Sequence, residues 1–359
     1  MTLARCLLCA FGTSFALTLG GAGDQIAFRP QAGATLTKSI VTTSDLELDD
    51  LSLLVSGQDV GEMIGEISFS LEQESKIEVT DTYKACADGR PTELLRAFDA
   101  LSGDMHMEFS PVPGMDMPDV SSSSELEGKT VLFRWNEEEE EYDVSFPEEG
   151  DGDQDLLEGL EEDMDLRVFL PSAEVPEDGS WTVELAGLET VLAPGGNLRM
   201  MPEDMEMDRE AIERFAKIFE GFAEQYSDLL EGECTCTYKG MREEGEEKLA
   251  EIAIELEVAV TLDLTEALSQ VIQASLEESG AGGEVQFSFD SADLNVDFEG
   301  SGTLLWSPSA GLVHSFQISG DVTFGLDLAV SIEAMGEKQD VDASLEMSGS
   351  MEQALETKR

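Results

Sequence analysis

The chain has 359 residues and is strongly acidic, with 78 Asp and Glu against 20 Lys and Arg and a net charge of −58 at pH 7. A field of this sign repels phosphate backbones and anionic lipid surfaces, so the composition excludes nucleic acid as a partner. Hydrophobic residues still make up 41% of the chain, more than an acidic disordered chain carries. The sequence therefore predicts a folded protein, and adaptation to a salty exterior is the simplest explanation of the acids.

The first residues have the pattern of an export signal. Arg5 supplies a positive charge, residues 6–19 are mostly apolar, and Gly20, Gly21 and Ala22 follow as small residues. This is typical of a cleaved signal peptide, and the apolar run is shorter than the roughly 20 residues that span a bilayer. We therefore expect a signal peptide at 1–22 and a periplasmic or extracellular location. We expect no transmembrane segment in the mature chain, because no later segment is long and apolar enough.

Alternation of apolar and polar residues dominates the rest of the chain and predicts β-strands. The predicted strands lie near residues 67–71, 131–135, 142–146, 181–185, 252–264, 285–289, 294–298, 312–318, 322–332 and 341–347. Beyond residue 233 they follow one another mostly through short turns, predicted at 300–302 and 320–321, which is the pattern of an antiparallel meander. The length of the strand at 252–264 predicts that the twisted sheet is curved.

Three helices are predicted from apolar spacings of three and four. Two of them cover residues 90–101, with Pro91 near the start, and residues 266–276. The third and strongest begins near Asp208 and carries a narrow apolar stripe. The stripe consists of Ile212, Phe215, Phe219, Phe222, Tyr226 and Leu229. It predicts a helix that packs across the sheet; the alternative is a partner helix or a lid over a groove.

These elements predict an α+β fold, a long curved antiparallel β-meander, half-barrel-like, with a few packing helices. We expect an N-terminal β-rich region at 23–200, with an acidic loop at 136–165, and then the amphipathic helix and the meander at 201–359. One continuous domain that includes both regions is the alternative to two domains.

Methionine triplets are one of two weak metal-binding patterns. Thioethers are soft ligands that suit Cu(I), and one of the three triplets carries a histidine. The candidate ligands are Met105, His106, Met107, Met115, Met117, Met205 and Met207.

The other weak pattern is a calcium-like spacing in the acidic loop. Asp151, Asp153 and Asp155 match the first three ligand positions of a calcium loop, but Leu156 stands where the sharp turn needs glycine. We therefore expect no cofactor, and calcium or copper binding is the alternative.

Three cysteines lie beyond the signal peptide, namely Cys86, Cys234 and Cys236. Cys234 and Cys236 alternate along a predicted strand and so point to one face. A disulfide of Cys86 with Cys234 or with Cys236 is one reading, and buried free thiols are the other.

Catalytic motifs are not apparent. The two histidines are His106 and His314, and the chain has no G-x-S-x-G, H-E-x-x-H or Walker-type sequence. His314 stands between Leu312 and Phe316 and is predicted to be a core histidine. We expect a protein that is not an enzyme, although the abundant acids keep a carboxylate-dependent hydrolase as a third hypothesis.

The exported, long-stranded meander resembles uncharacterised exported bacterial β-rich proteins and, more loosely, the lipoprotein-carrier half-barrels. Besides the strand pattern and the helix, the resemblance rests on three local patches at residues 80–83 (TDTY), 88–91 (DGRP) and 177–181 (EDGSW). It implies a curved sheet that holds helices and an apolar groove, and it transfers no functional residue. The resulting expectation is a non-catalytic exported binding or envelope-associated protein with an apolar ligand or an envelope protein as partner; a metal-binding protein is the first alternative.

Overall fold

The computed structural model describes residues 26–60, 67–87, 89–110, 119–148, 152–203, 229–279, 285–334 and 337–359. Strands hold 67% of the residues and helices 9%. The strands are β1 (Thr35–Val55), β2 (Gln58–Asp59), β3 (Ser68–Ala87), β4 (Arg90–Ser110), β5 (Val120–Ser123), β6 (Thr130–Asn136), β7 (Glu141–Ser145), β8 (Ser180–Val183), β9 (Met201–Pro202), β10 (Glu231–Glu244), β11 (Glu247–Asp263), β12 (Val285–Ser307), β13 (Leu312–Ala334) and β14 (Glu337–Lys358).

The helical elements are few and mostly short. They are 3₁₀ turns at Gln154–Leu157, Arg167–Phe169 and Leu185–Leu188, and the α-helices α1 (Glu189–Leu192) and α2 (Thr265–Ser279). The helix predicted at 266–276 is therefore confirmed. No helix among the described residues is long and apolar enough to cross a membrane.

All fourteen strands belong to one antiparallel sheet that does not close on itself. Its main order is β7-β6-β4-β3-β1-β14-β13-β12-β11-β10-β8, with β2, β5 and β9 at the side of this path. Pairing of β1 with β14 joins the predicted N-terminal and C-terminal regions within this sheet. The prediction of an antiparallel β-rich fold is confirmed, although the small helical share makes α+β a stronger description than these residues support.

Side-chain alternation gives the sheet one apolar and one polar face over much of its area. On β11, Ile252, Ile254 and Leu256 are buried, whereas Glu255 and Glu257 between and beyond them are exposed. Burial of the apolar face removes this surface from water and supplies most of the favourable free energy of folding.

The helix predicted at 90–101 is wrong, because these residues form the first half of β4. Leu94, Arg96 and Phe98 alternate as fully buried residues on the apolar face. A charged residue at the central inward position hides the alternation that would have indicated a strand.

The turns predicted at 300–302 and 320–321 are also wrong. Gly300 and Gly320 lie directly opposite each other within β12 and β13. A Cβ atom on Gly320 would lie 2.3 Å from the main-chain oxygen of Glu299. These glycines therefore permit a close approach of two long strands instead of a reversal of the chain.

His314 is not the core histidine that the sequence predicts. The register of β12 and β13 shifts between Leu305 and Trp306, and Val313 takes the buried position. The His314 side chain is half-buried, with its Nδ1 atom 3.5 Å from Glu247 Oε2.

Candidate functional site

A group of charged and phenolic side chains on the apolar face forms what we call the buried charge cluster. Three strands supply four of its members, and the segment between β7 and β8 supplies the others. The cluster consists of Lys38, Asp81, Tyr83, Arg96, Glu162, Asp165 and Arg167. Lys38, Asp81 and Arg96 each take an inward position between apolar neighbours on their own strand, so β-alternation places them in the core.

Two aspartates organise the ion pairs of the cluster. Asp81 accepts two parallel hydrogen bonds from Arg96, at 2.8 Å from Nε and 2.9 Å from Nη2, and one at 2.8 Å from Lys38 Nζ. Asp165 lies 2.8 Å from the same Lys38 nitrogen and accepts from the Tyr83 hydroxyl at 2.8 Å. Lys38, Tyr83 and Arg96 together supply the donors for the two carboxylates, so the ionised groups have the partners that their burial requires.

Arg96 also fastens the acidic segment to the sheet. Its guanidinium donates to the main-chain oxygens of Glu161 at 2.9 Å and Glu162 at 2.8 Å. The predicted acidic loop at 136–165 is therefore only partly a solvated loop, because Glu162 and Asp165 are buried and residues 141–145 form β7.

Electrostatics keep the centre of the cluster ionised. Burial alone would raise the pKa of Asp81, but Arg96 and Lys38 hold it at about 2. Burial alone would lower the pKa of Lys38, but the negative charges of Asp165 and Asp81 outweigh this effect and raise it. Burial and the Asp165 charge raise the pKa of Tyr83 well above its usual value. Asp81 and Lys38 therefore act as structural ions and Tyr83 as a neutral hydrogen-bond donor, and all three are poor proton donors or nucleophiles near neutral pH.

The polar face carries a second candidate, which we call the acidic groove. It has a volume of about 960 Å³ and crosses β1, β3, β4, β13 and β14, with Asp119 and Ser121 at one side. Its carboxylates are Asp45, Glu72, Glu74, Asp104, Asp119, Asp321 and Glu352.

Strand register places these acids on one face. Glu72 lies opposite Asp45 on β1 and opposite His106 on β4. In the neighbouring row, Glu74 lies opposite Asp104. Because directly opposed residues of antiparallel strands point to the same face, the acids form two adjacent rows across the sheet.

Like charges therefore oppose each other directly, in the pairs Asp45–Glu72 and Glu74–Asp104. Such pairs are destabilising unless a counter-charge is present. No Lys or Arg is found among the described residues that line the groove. Lys76, two residues beyond Glu74 on the same face, is paired with Glu78 at 3.2 Å.

His106 is the basic group in the groove lining. Its Nδ1 atom is 2.5 Å from Asp119 Oδ1, and hydrogen bonding to Asp119 and Glu108 raises its pKa. On the same side, Ser121 donates to Asp104 Oδ1 at 2.8 Å.

The predicted methionine–histidine triplet does not converge on one point. Met105 and Met107 point to one face of β4 and His106 to the other, because neighbouring residues of a strand alternate. Met115, Met117, Met205 and Met207 lie outside the described residues. Within the described ranges, no group of three or more His, Cys, Asp or Glu side chains is arranged to hold a metal ion.

In the calcium-like stretch, Asp151 lies outside the described residues. Asp153 caps a 3₁₀ turn by accepting from the main-chain nitrogen of Asp155. The Asp153 carboxylate thus has a local structural role.

The predicted lid helix cannot be compared with the structure over most of its length. Ile212, Phe215, Phe219, Phe222 and Tyr226 lie outside the described residues, and Leu229 is exposed. The acidic groove is lined by acidic and hydroxylic side chains, and the apolar groove expected beside the lid helix stays a prediction.

The three cysteines within the described ranges are free thiols, so neither predicted pairing of Cys86 is formed. Cys234 and Cys236 are fully buried on β10, near one end of the strand order. Cys86 lies on β3 and is half-buried, and burial raises the pKa of its thiol, with Glu162 adding to the shift.

Sequence reasoning missed both candidate sites. For the cluster, the available signal is a charge that replaces an apolar residue in an alternating strand, as Lys38 does between Leu36 and Ile40. For the groove, the acids belong to strands that are distant in the sequence, and only the register brings them together.

Comparisons with known proteins do not assign a family. No family model matches the chain, and no curated protein matches it. Among solved structures, an outer membrane channel from Pseudomonas putida F1 aligns at 9% identity over 92% of this chain and 97% of its own, with a TM-score of 0.18. The Pseudomonas aeruginosa protein OccK1 (OpdK) aligns at 9% identity over 88% of this chain and 98% of its own, with a TM-score of 0.13. At these TM-scores the similarity supports no conclusion about fold or function.

Proposed function

We propose that the protein is a non-catalytic, exported binding protein of the cell envelope that holds an extended, amine-bearing cation in the acidic groove. The observation that carries the proposal is two pairs of directly opposed carboxylates, Asp45–Glu72 and Glu74–Asp104, in the lining of a large groove. A bound cation would add counter-charge to these pairs, beside which His106 is the basic group of the groove lining.

The size of the groove fits a ligand larger than a single ion. Its volume of about 960 Å³ is at the upper end of the range for small-molecule sites. Five neighbouring strands span roughly 19 Å, and the two rows of acids are about 7 Å apart. An extended chain of ammonium groups can therefore contact several carboxylates at once.

Export is part of the proposal because residues 1–22 have the pattern of a signal peptide. The acidic lining changes the ligand class from the apolar one expected from sequence to a cationic one. Calcium is the competing ligand, and it is included as an outcome of the test below.

Calorimetric titration of the protein with tetralysine at low salt tests the proposal. The double variant Asp45→Asn/Glu72→Gln removes two negative charges from the groove. We expect it to weaken tetralysine binding about 10- to 30-fold, because each removed charge contributes on the order of 1 kcal/mol at contact in water. Raising the salt concentration should weaken binding by the wild type as well.

The matched control is Glu255→Gln/Glu257→Gln, which removes two exposed carboxylates from β11 outside the groove lining. It should change the affinity less than twofold. Equal losses in both double variants would show diffuse attraction to an acidic surface and contradict the proposal. Saturable binding of calcium without binding of tetralysine would contradict the amine ligand and indicate that the groove binds a metal ion instead.

A further inference from the structure

We propose that Glu162 takes up a proton when the segment 161–167 docks on the sheet, and that loss of this proton loosens the segment. This device is separate from the acidic groove. It makes one part of the fold sensitive to pH near neutrality.

Geometry leaves one oxygen of Glu162 without a partner. Glu162 Oε2 is paired with Arg167 Nη2, whereas Oε1 is buried and accepts no hydrogen bond. The nearby Tyr142 hydroxyl, which interacts with the Glu162 carboxyl group, donates to the main-chain oxygen of Pro91 at 2.8 Å. The side chain is 2% exposed. A buried, ionised carboxylate with an unsatisfied oxygen is unfavourable, and a proton on that oxygen removes the charge.

The charges around Glu162 also favour its protonated, neutral state. The groups that interact with Glu162 come from its own segment and from β3, β4 and β7. They are Asp163, Asp165, Arg167, Tyr83, Cys86, Arg96 and Tyr142. With Glu162 ionised, this set holds three carboxylates and two cations, and protonation of Glu162 leaves two of each.

The titration of Glu162 agrees with this arrangement. Burial raises its pKa to about 7, against the opposing effect of Arg167. In the unfolded chain the group has its ordinary pKa of 4.5. The native state therefore binds more protons between about pH 4.5 and pH 7, and the stability contributed by this group falls as the pH rises through that range.

Docking is the step that the proton affects. Arg96 binds the main-chain oxygens of Glu161 and Glu162, and Lys38 and Tyr83 bind Asp165. The same segment thus carries the buried carboxyl group and the contacts that hold it to three strands. Ionisation of Glu162 makes this docking less favourable, so local opening of the segment becomes more frequent.

Amide hydrogen exchange followed by mass spectrometry tests the inference. Peptides covering residues 158–170 are compared at pH 5.5 and pH 7.5, after correction for the intrinsic exchange rate. In the wild type we expect protection to be at least tenfold lower at pH 7.5. In Glu162→Gln, which stays neutral, we expect most of this pH dependence to be lost. The remainder comes from Glu161, whose pKa is also raised by burial.

Glu158→Gln is the matched control, because Glu158 belongs to the same peptides but its side chain is 78% exposed. It should keep the pH dependence of the wild type. The inference is overturned if Glu162→Gln keeps that dependence or if Glu158→Gln removes it. If Glu162→Gln does not fold, the wild type alone decides, and equal protection at the two pH values overturns the inference.

Discussion

Replacement of Arg96 by methionine is expected to lower the free energy of unfolding by about 4 kcal/mol, as for other buried ion pairs that lose one partner. The substitution leaves Asp81 ionised and fully buried with Lys38 as its remaining partner, and it removes the donors to two main-chain oxygens. Methionine fills a similar volume, so the loss reports charge and hydrogen bonding more than an empty cavity. Urea denaturation followed by circular dichroism at pH 7 gives the value.

Lys76→Met on β3 is the matched control for this change. Lys76 also pairs with an acid, Glu78, but both side chains are about two-fifths exposed. Such pairs contribute about 1 kcal/mol or less. A loss in Arg96→Met no larger than that in Lys76→Met would show that the buried charge cluster does not hold the segment 161–167 to the sheet.

Gly349→Ala is expected to lower the free energy of unfolding by about 3 kcal/mol, which is the second large effect. A Cβ atom at position 349 would lie 1.8 Å from the main-chain oxygen of Asp45 on the neighbouring strand. The β1–β14 pairing that joins the two halves of the chain would have to move apart to accept it. Thermal unfolding monitored by calorimetry measures the change.

Gly325→Ala on β13 is the control for Gly349→Ala. A Cβ atom there would lie 3.7 Å from Asn295 Cβ, which is an ordinary contact. Its effect should be within about 1 kcal/mol of zero, since the added methyl group also restricts the unfolded chain. If both alanine variants lose the same free energy of unfolding, the close approach of the strands at Gly349 is not the reason why glycine is needed there.

Much of the sheet could be predicted from alternation, and the failures have physical causes. β11 was predicted because its inward residues are all apolar from Ile252 to Leu262. The first half of β4 was predicted as a helix because Arg96 interrupts its inward row. The sequence prediction ends β12 at Gly300 and divides β13 at Gly320 because glycine is interpreted as a turn signal, whereas in these strands it permits close contact.

The candidate sites were less accessible to sequence reasoning. The residues that the sequence singled out, such as the triplet at 105–107 and the acids at 151–155, depend on local spacing. Asp45 and Glu352 are some 300 residues apart in the chain. They share a groove because β1 and β14 are neighbours in the sheet. The acids of the groove look like any others in a chain that contains 78 of them.

Zero-length carbodiimide crosslinking of tetralysine to the protein, with the linked carboxylates identified by mass spectrometry, tests the proposed binding site most directly. The acidic groove predicts crosslinks concentrated at Asp45, Glu72, Glu74 and Glu352, and their loss when a large excess of free tetralysine competes. Crosslinks spread evenly over exposed acids elsewhere, such as Glu255 and Glu257, would contradict a cation site in the groove.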